Sequence, residues 1–158
     1  MKISNPLKLA ICVIGCELAG MLGSVFTISA IPTWYATLQK PALNPPSWIF
    51  APVWITLYVL MGIAAFLVWR KGSEKKEVKK ALAVFILQLI LNAIWTPIFF
   101  GLHNPGLGLI VIIALWLSII WTMISFHKIS RAAMYLLVPY LLWVSFASYL
   151  NYSIWALN

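Results

Sequence analysis

Between Ala81 and His127 the chain runs 47 residues without a lysine, arginine, aspartate or glutamate. Such a run is too long for one helix of a small aqueous core and long enough for two membrane spans of about 20 residues each. Three further charge-free runs, Leu18–Gln39, Pro41–Trp69 and Ala132–Asn158, take up most of the remainder. Eight of the fourteen charged residues are gathered between Arg70 and Lys80. With 63% hydrophobic and 9% charged residues among 158, the chain has more apolar surface than one aqueous core can hide. The fold class expected is an all-α integral membrane protein. A soluble enzyme, a disordered chain and a disulfide scaffold are excluded.

The turn signal His103-Asn104-Pro105-Gly106 divides the 47-residue run in two. The first apolar run reaches back to Leu9, interrupted only by Glu17. Five helices follow, over about 7–30, 47–69, 79–101, 105–127 and 131–155, in a single transmembrane domain covering 1–158. Ten of the eleven lysines and arginines then lie on one side of the bilayer, and Lys40 alone lies on the other. The positive-inside rule puts the N-terminus in the cytoplasm and the C-terminus outside. The partner implied by composition is the lipid bilayer. The net charge of +8 does not point to nucleic acid, because the cations form no groove-binding surface.

Val13-Ile14-Gly15-Cys16 resembles a lipoprotein cleavage box, but the apolar run continues to Ala30 as a full span, which favours an uncleaved helix. Gly15, Ala19 and Gly23, and likewise Cys16, Gly20 and Ser24, recur every four positions. Small residues let helices approach closely in lipid, either within the bundle or between two chains. The stretch 31–46 is a long Pro/Trp-rich loop between helices 1 and 2, with Pro32, Pro41, Pro45 and Pro46 and the aromatic Trp34 and Tyr35. Its composition favours a lid over a flexible linker, since a linker would be polar and rich in Gly and Ser.

Conventional catalytic patterns are absent from the sequence. There is no Walker A loop, HExxH or CxxC, aspartate is missing altogether, and His103 and His127 fall at opposite membrane ends, so no metal site is expected. The informative residues are polar or aromatic ones inside spans. Glu17 is the only formal charge within a span, and its charged form is costly to bury. It reads either as a functional group or as a neutral carboxyl bonded to a neighbouring helix. Its depth in the first helix, below an outer cavity, favours the structural role.

Three stripes can line one cavity: Trp54, Tyr58 and Met61 on the second helix; Gln88, Asn92, Trp95 and Phe99 on the third; Tyr140, Trp143, Ala147 and Asn151 on the fifth. Ordinary packing is the alternative for any one stripe. Trp34 and Trp48 from the loop, with Trp54, Trp95 and Trp143, are the tryptophans expected at a site. Trp69 and Trp155 read as membrane-interface residues, and Trp116 and Trp121 as lipid or packing contacts.

The segments Trp34-Tyr35-x-x-Leu38-x-Lys40-Pro41 and Pro45-Pro46-x-Trp48-x-Phe50-x-Pro52-Val53-Trp54, with Leu57-Tyr58 and Met61-Gly62, stand in a fixed order. They are followed by Leu91-Asn92-x-x-Trp95-x-Pro97-x-Phe99-Phe100-Gly101, then Pro139-Tyr140-x-x-Trp143-x-x-Phe146-Ala147 and Leu150-Asn151. From about Cys16 onward the chain thereby resembles a prokaryotic-type member of the translocator protein family, also called the TspO/MBR, tryptophan-rich sensory protein or peripheral benzodiazepine receptor family. The resemblance implies a five-helix bundle in a prokaryotic cell membrane, often a homodimer, with a ligand cavity beneath the first external loop. It implies porphyrin as a ligand, with no cofactor required, and a cavity lined by Trp54, Asn92, Trp95, Trp143 and Ala147. Light-dependent breakdown of protoporphyrin is attributed to members, with Trp54 and Trp143 at the positions implicated. The fifth helix ends Tyr152-Ser153-Ile154-Trp155-Ala156-Leu157-Asn158 with no basic residue, which departs from the sterol-linked pattern of animal members.

Residue pattern and resemblance together give one expected function: binding of tetrapyrroles and other flat apolar molecules, in sensing or transport. Trp34, Tyr35, Lys40, Trp48, Trp54, Tyr58, Gln88, Asn92, Trp95, Tyr140, Trp143 and Ala147 are the expected ligand contacts. Two alternatives stand beside it. One is a light-dependent porphyrin-degrading enzyme using Trp54 and Trp143. The other is a small-molecule transporter with Glu17 as its proton-linked group.

Overall fold

The computed structural model describes residues 3–158, so Lys2 of the cytoplasmic cation count lies outside the described residues. The described chain is helical with no strand, and five of its helical segments are long and apolar enough to cross a membrane: Asn5–Tyr35, Ser47–Trp69, Lys76–Gly101, Pro105–His127 and Arg131–Leu157. Their elements are α1 (Asn5–Ala30), α2 (Phe50–Trp69), α3 (Lys76–Thr96), α4 (Pro105–His127), α5 (Arg131–Leu136) and α6 (Val138–Leu157). The apolar side chains turned away from the bundle, such as Leu22, Ile28, Ile110 and Leu142, are more than half exposed. In water such faces would be a large liability; in hydrocarbon they are the solvated surface.

Prolines shape the span ends. Helix α1 does not stop at Ala30, where the sequence places the start of the loop. It continues through a widened π turn, Ile31–Tyr35, with Pro32 at its second position. Pro32 lacks the N–H of a regular turn and its ring crowds the carbonyl four residues back, and a π turn relieves both constraints without ending the helix. Pro97 opens a second such turn, Pro97–Gly101, after α3. The connection between the first two spans therefore begins at Ala36, not at residue 31. Pro139 has a different effect: the fifth span is broken at Leu137 between α5 and α6. The third span starts at Lys76, three residues before the expected 79.

Local caps fix the turns. Asn104 Oδ1 accepts from the Leu107 N–H at 2.9 Å as N-cap of α4, with Pro105 at the first helical position. His103, just before, has φ +52°, the left-handed conformation that reverses the chain there. Ser130 caps α5 by accepting from the Ala133 N–H.

The core lies in the centre of the bundle and toward its Arg70–Lys80 end, where Met61, Ala64, Val68, Ile119, Phe126, Leu137 and Val144 are buried. Helices α1 and α2 cross so closely that a Cβ on Gly62 would lie 2.5 Å from Val13 Cα. Of the small residues on α1, Gly20 faces the Tyr58 ring and Gly23 faces Thr96, whereas Gly15 has open space beside it. Two of the small positions are thus spent on packing within the bundle. Trp116, expected to lack polar neighbours, donates its indole N–H to Ser145 Oγ at 2.8 Å. Ser145 lies on the facing helix, a relation that the one-dimensional pattern does not carry.

Candidate functional site

Toward the end that carries the loop between the first two spans, the helices diverge around a cavity of about 360 Å3, walled by α1, α2, the α3–π segment and α6. Its size is that of a small-molecule site. From α2 it receives Phe50, Trp54 and Tyr58; from the third span Asn92, Trp95, Phe99 and Phe100; from α6 Trp143, Ala147 and Asn151. Tyr35 and Ser47, at the two ends of the external loop, also line it.

The aromatic rings hold one another in place. Trp54 stacks on Tyr58 at 5.6 Å between centroids and meets Tyr140 edge-on at 6.3 Å. Trp95 stacks on Phe99 at 5.2 Å, and its indole N–H donates to Asn151 Oδ1 at 3.0 Å. Asn151 in turn donates to the Pro105 carbonyl at 2.7 Å, tying α6 to the start of α4. Behind the wall a buried relay runs between three helices. Tyr58 OH donates to Asn92 Oδ1 at 2.6 Å, Asn92 Nδ2 donates to Tyr140 OH at 2.9 Å, and Tyr140 OH donates to Gln88 Oε1 at 2.8 Å. Each of these oxygens and hydroxyls has its partner, as buried polar groups require.

Two do not. Among the described residues, Glu17 Oε1 and Trp143 Nε1 are the side-chain polar atoms sealed from solvent with no hydrogen-bond partner, and both residues line the cavity. For Glu17 this corrects the sequence-based placement. It is neither bonded to a neighbouring helix nor below the cavity. The cavity reaches down α1 along Glu17, Gly20, Gly23, Ser24 and Thr27, residues too small or too polar to close it.

The loop between the first two spans is fastened above. Tyr35 OH donates to Asn44 Oδ1 at 2.8 Å, and Lys40 Nζ lies 4.9 Å from the centroid of the Tyr35 ring. Asn158 clasps the backbone of Gln39 on both sides: Oδ1 accepts from the Gln39 N–H and Nδ2 donates to the Gln39 carbonyl, each at 3.0 Å. The loop therefore bridges from the end of the first span to the end of the fifth.

The geometry has sequence counterparts elsewhere. The model of the TspO/MBR family matches residues 12–156. The chain belongs to the TspO/MBR family. It is 47% identical over 152 residues to the tryptophan-rich protein TspO of Chlorobaculum tepidum, covering 96% of each chain. It is 38% identical over 146 residues to the human translocator protein, covering 92% of this chain and 84% of that one. With the tryptophan-rich sensory protein of Cereibacter sphaeroides it shares 39% identity over 125 residues, 79% of this chain and 77% of that one.

In this TspO/MBR chain, seven of the twelve residues expected at the site line the cavity: Tyr35, Trp54, Tyr58, Asn92, Trp95, Trp143 and Ala147. The other five do not. Gln88 and Tyr140 are fully buried behind the wall, where they complete the relay. Trp34 packs outside the cavity, stacked on His103 at 4.6 Å and edge-on to Phe99 at 5.6 Å. Lys40 folds back on its own loop, donating to the Leu38 carbonyl at 3.0 Å. Trp48 is 73% exposed, as an interfacial residue would be. Glu17, Phe50 and Phe100 were not expected. For Glu17 the available signal was the spacing of 17, 20, 24 and 27, which puts four small or polar positions on one helix face.

Proposed function

We propose that this membrane protein binds tetrapyrroles, protoporphyrin among them, and other flat apolar molecules, and serves in their sensing or transport. The observation that carries the reading is the cavity itself: an apolar chamber within the bundle whose walls are aromatic faces, with Trp54 and Trp143 both lining it. Flat ligands gain from such faces by stacking as well as by burial. Covering about 300 Å2 of apolar ligand surface supplies roughly 7 kcal/mol before ordering costs, enough for micromolar-range binding. The name of the Cereibacter sphaeroides relative, a sensory protein, accords with a sensing role.

Protoporphyrin titration of the detergent-solubilised protein tests this. Trp54→Ala and Trp143→Ala are each expected to weaken binding by on the order of 1 kcal/mol or more, about fivefold, whereas Trp116→Ala, whose indole is engaged with Ser145, leaves it unchanged. Identical curves for the three variants would remove the cavity reading. Running the same titration in light and in darkness separates binding from light-driven oxidation of the porphyrin. The latter reading draws on Trp54 and Trp143 both lining the cavity.

The orientation we infer is cytoplasmic for the Arg70–Lys80 loop and external for the 36–46 loop, from the distribution of cations. In a background lacking Cys12 and Cys16, a cysteine at Leu43 is expected to react with an impermeant thiol reagent in intact cells, and one at Ser73 to resist it. The reverse pattern would invert the topology.

A further inference from the structure

The order of the spans fixes which residues form the bottom of the cavity. The first, third and fifth spans run outward and the second runs inward, so the deepest lining residue is the lowest-numbered on α1, α3 and α6 and the highest-numbered on α2. These are Glu17, Asn92, Trp143 and Tyr58. All four carry a hydrogen-bonding group, whereas most of the wall above them is apolar. Tyr58 and Asn92 satisfy each other. Glu17 does not: the residue lines the cavity and its carboxyl makes no hydrogen bond to the protein. No lysine, arginine or histidine lines the cavity, so no protein cation compensates it.

We propose that Glu17 is a specificity-determining ligand contact that accepts a hydrogen bond from an N–H group on the inner end of the bound molecule. The inference rests on the cavity being a ligand site, and it adds which molecules the site prefers. It holds for either protonation state, because a carboxylic acid keeps an accepting carbonyl oxygen just as a carboxylate does. A flat apolar molecule with an N–H edge satisfies the atom. One without it fills the same space and leaves a buried acceptor unpaired, a penalty that separates otherwise similar ligands. An ionised Glu17 also repels a ligand carboxylate at the floor, so in that form a molecule with acidic groups enters with them turned to the mouth.

The test uses two tricyclic probes of the same shape, carbazole with its N–H and fluorene with a CH2 in its place, titrated against the detergent-solubilised protein. The ratio of their affinities is compared between wild type and variants, which cancels their unequal partition into detergent. The carbazole-to-fluorene ratio is expected to fall about tenfold in Glu17→Leu and to be largely kept in Glu17→Gln, whose amide oxygen still accepts. Should Glu17→Leu fail to fold, N-methylcarbazole against wild type removes the donor from the ligand instead, with a similar loss expected. An unchanged ratio in folded Glu17→Leu, or equal binding of carbazole and N-methylcarbazole, overturns the role of Glu17 and leaves the cavity reading standing. Absence of binding by either tricycle to folded wild type overturns the cavity reading as well.

Discussion

Replacing Gly62 by alanine is expected to destabilise the protein by about 3 kcal/mol, near the top of the range for overpacking. The added Cβ would lie 2.5 Å from Val13 Cα and 2.9 Å from Val13 N, so the obstacle is backbone and cannot rotate aside. Relief requires α1 to move off α2, which costs contacts along the whole crossing. In lipid those contacts are van der Waals packing with little hydrophobic drive to re-form them elsewhere. Gly15→Ala is the matched control, since a Cβ there meets nothing within 4 Å. It is expected to be neutral or to stabilise by up to about 1 kcal/mol through helix propensity. Thermal unfolding of both variants in detergent measures the contrast, and equal midpoints would show that the close crossing does not limit stability.

Asn92→Leu is the second large effect. The change strands the hydroxyl of Tyr58, a residue only 7% exposed, and removes a donor from Tyr140 OH, while Tyr140 keeps its bond to Gln88. A buried donor left unpaired costs roughly 1–3 kcal/mol, so a loss of about 2 kcal/mol is expected. The diagnostic is the double variant Asn92→Leu with Tyr58→Phe. Removing the stranded hydroxyl should recover at least half of that loss, because an absent polar group carries no desolvation penalty. Chemical denaturation of the single and double variants reads this directly. A double variant less stable than Asn92→Leu alone would mean that Tyr58 acts through its ring and not its hydroxyl.

The five spans were legible because in this chain charge and turn residues mark every boundary: the Arg70–Lys80 cluster, the His103–Gly106 turn and the Lys128–Arg131 pair. Helix periodicity added little, since spans solvated by lipid are apolar on every face and leave no strong stripe to read. The end of the first span was misread for a related reason. In the sequence Pro32 marks the start of a loop, but a proline stops a helix only where the backbone cannot widen around it.

At the site, residue type identified the aromatic wall of Trp54, Trp95 and Trp143, but not which side of the wall each neighbour faces. Asn92 and Gln88 sit four residues apart on one stripe. Asn92 reaches the cavity and Gln88 is sealed behind it, because Tyr140 from another helix comes between Gln88 and the cavity. Such an order depends on three helices at once. Glu17 was misplaced because depth was counted along one helix, whereas the extent of the cavity is set by the small residues above it on the same face.

The clasp between Asn158 and Gln39 joins residues 119 positions apart. During synthesis the first four spans can insert and pair through neighbouring contacts, but the loop above the cavity has no anchor on α6 until the fifth span is threaded and its far end has crossed the bilayer. Closing a loop of that length is entropically unfavourable and falls late in assembly. The roof is therefore the last part of the cavity to become rigid, and a nascent or truncated chain presents an open chamber to whatever flat molecules the surrounding lipid carries.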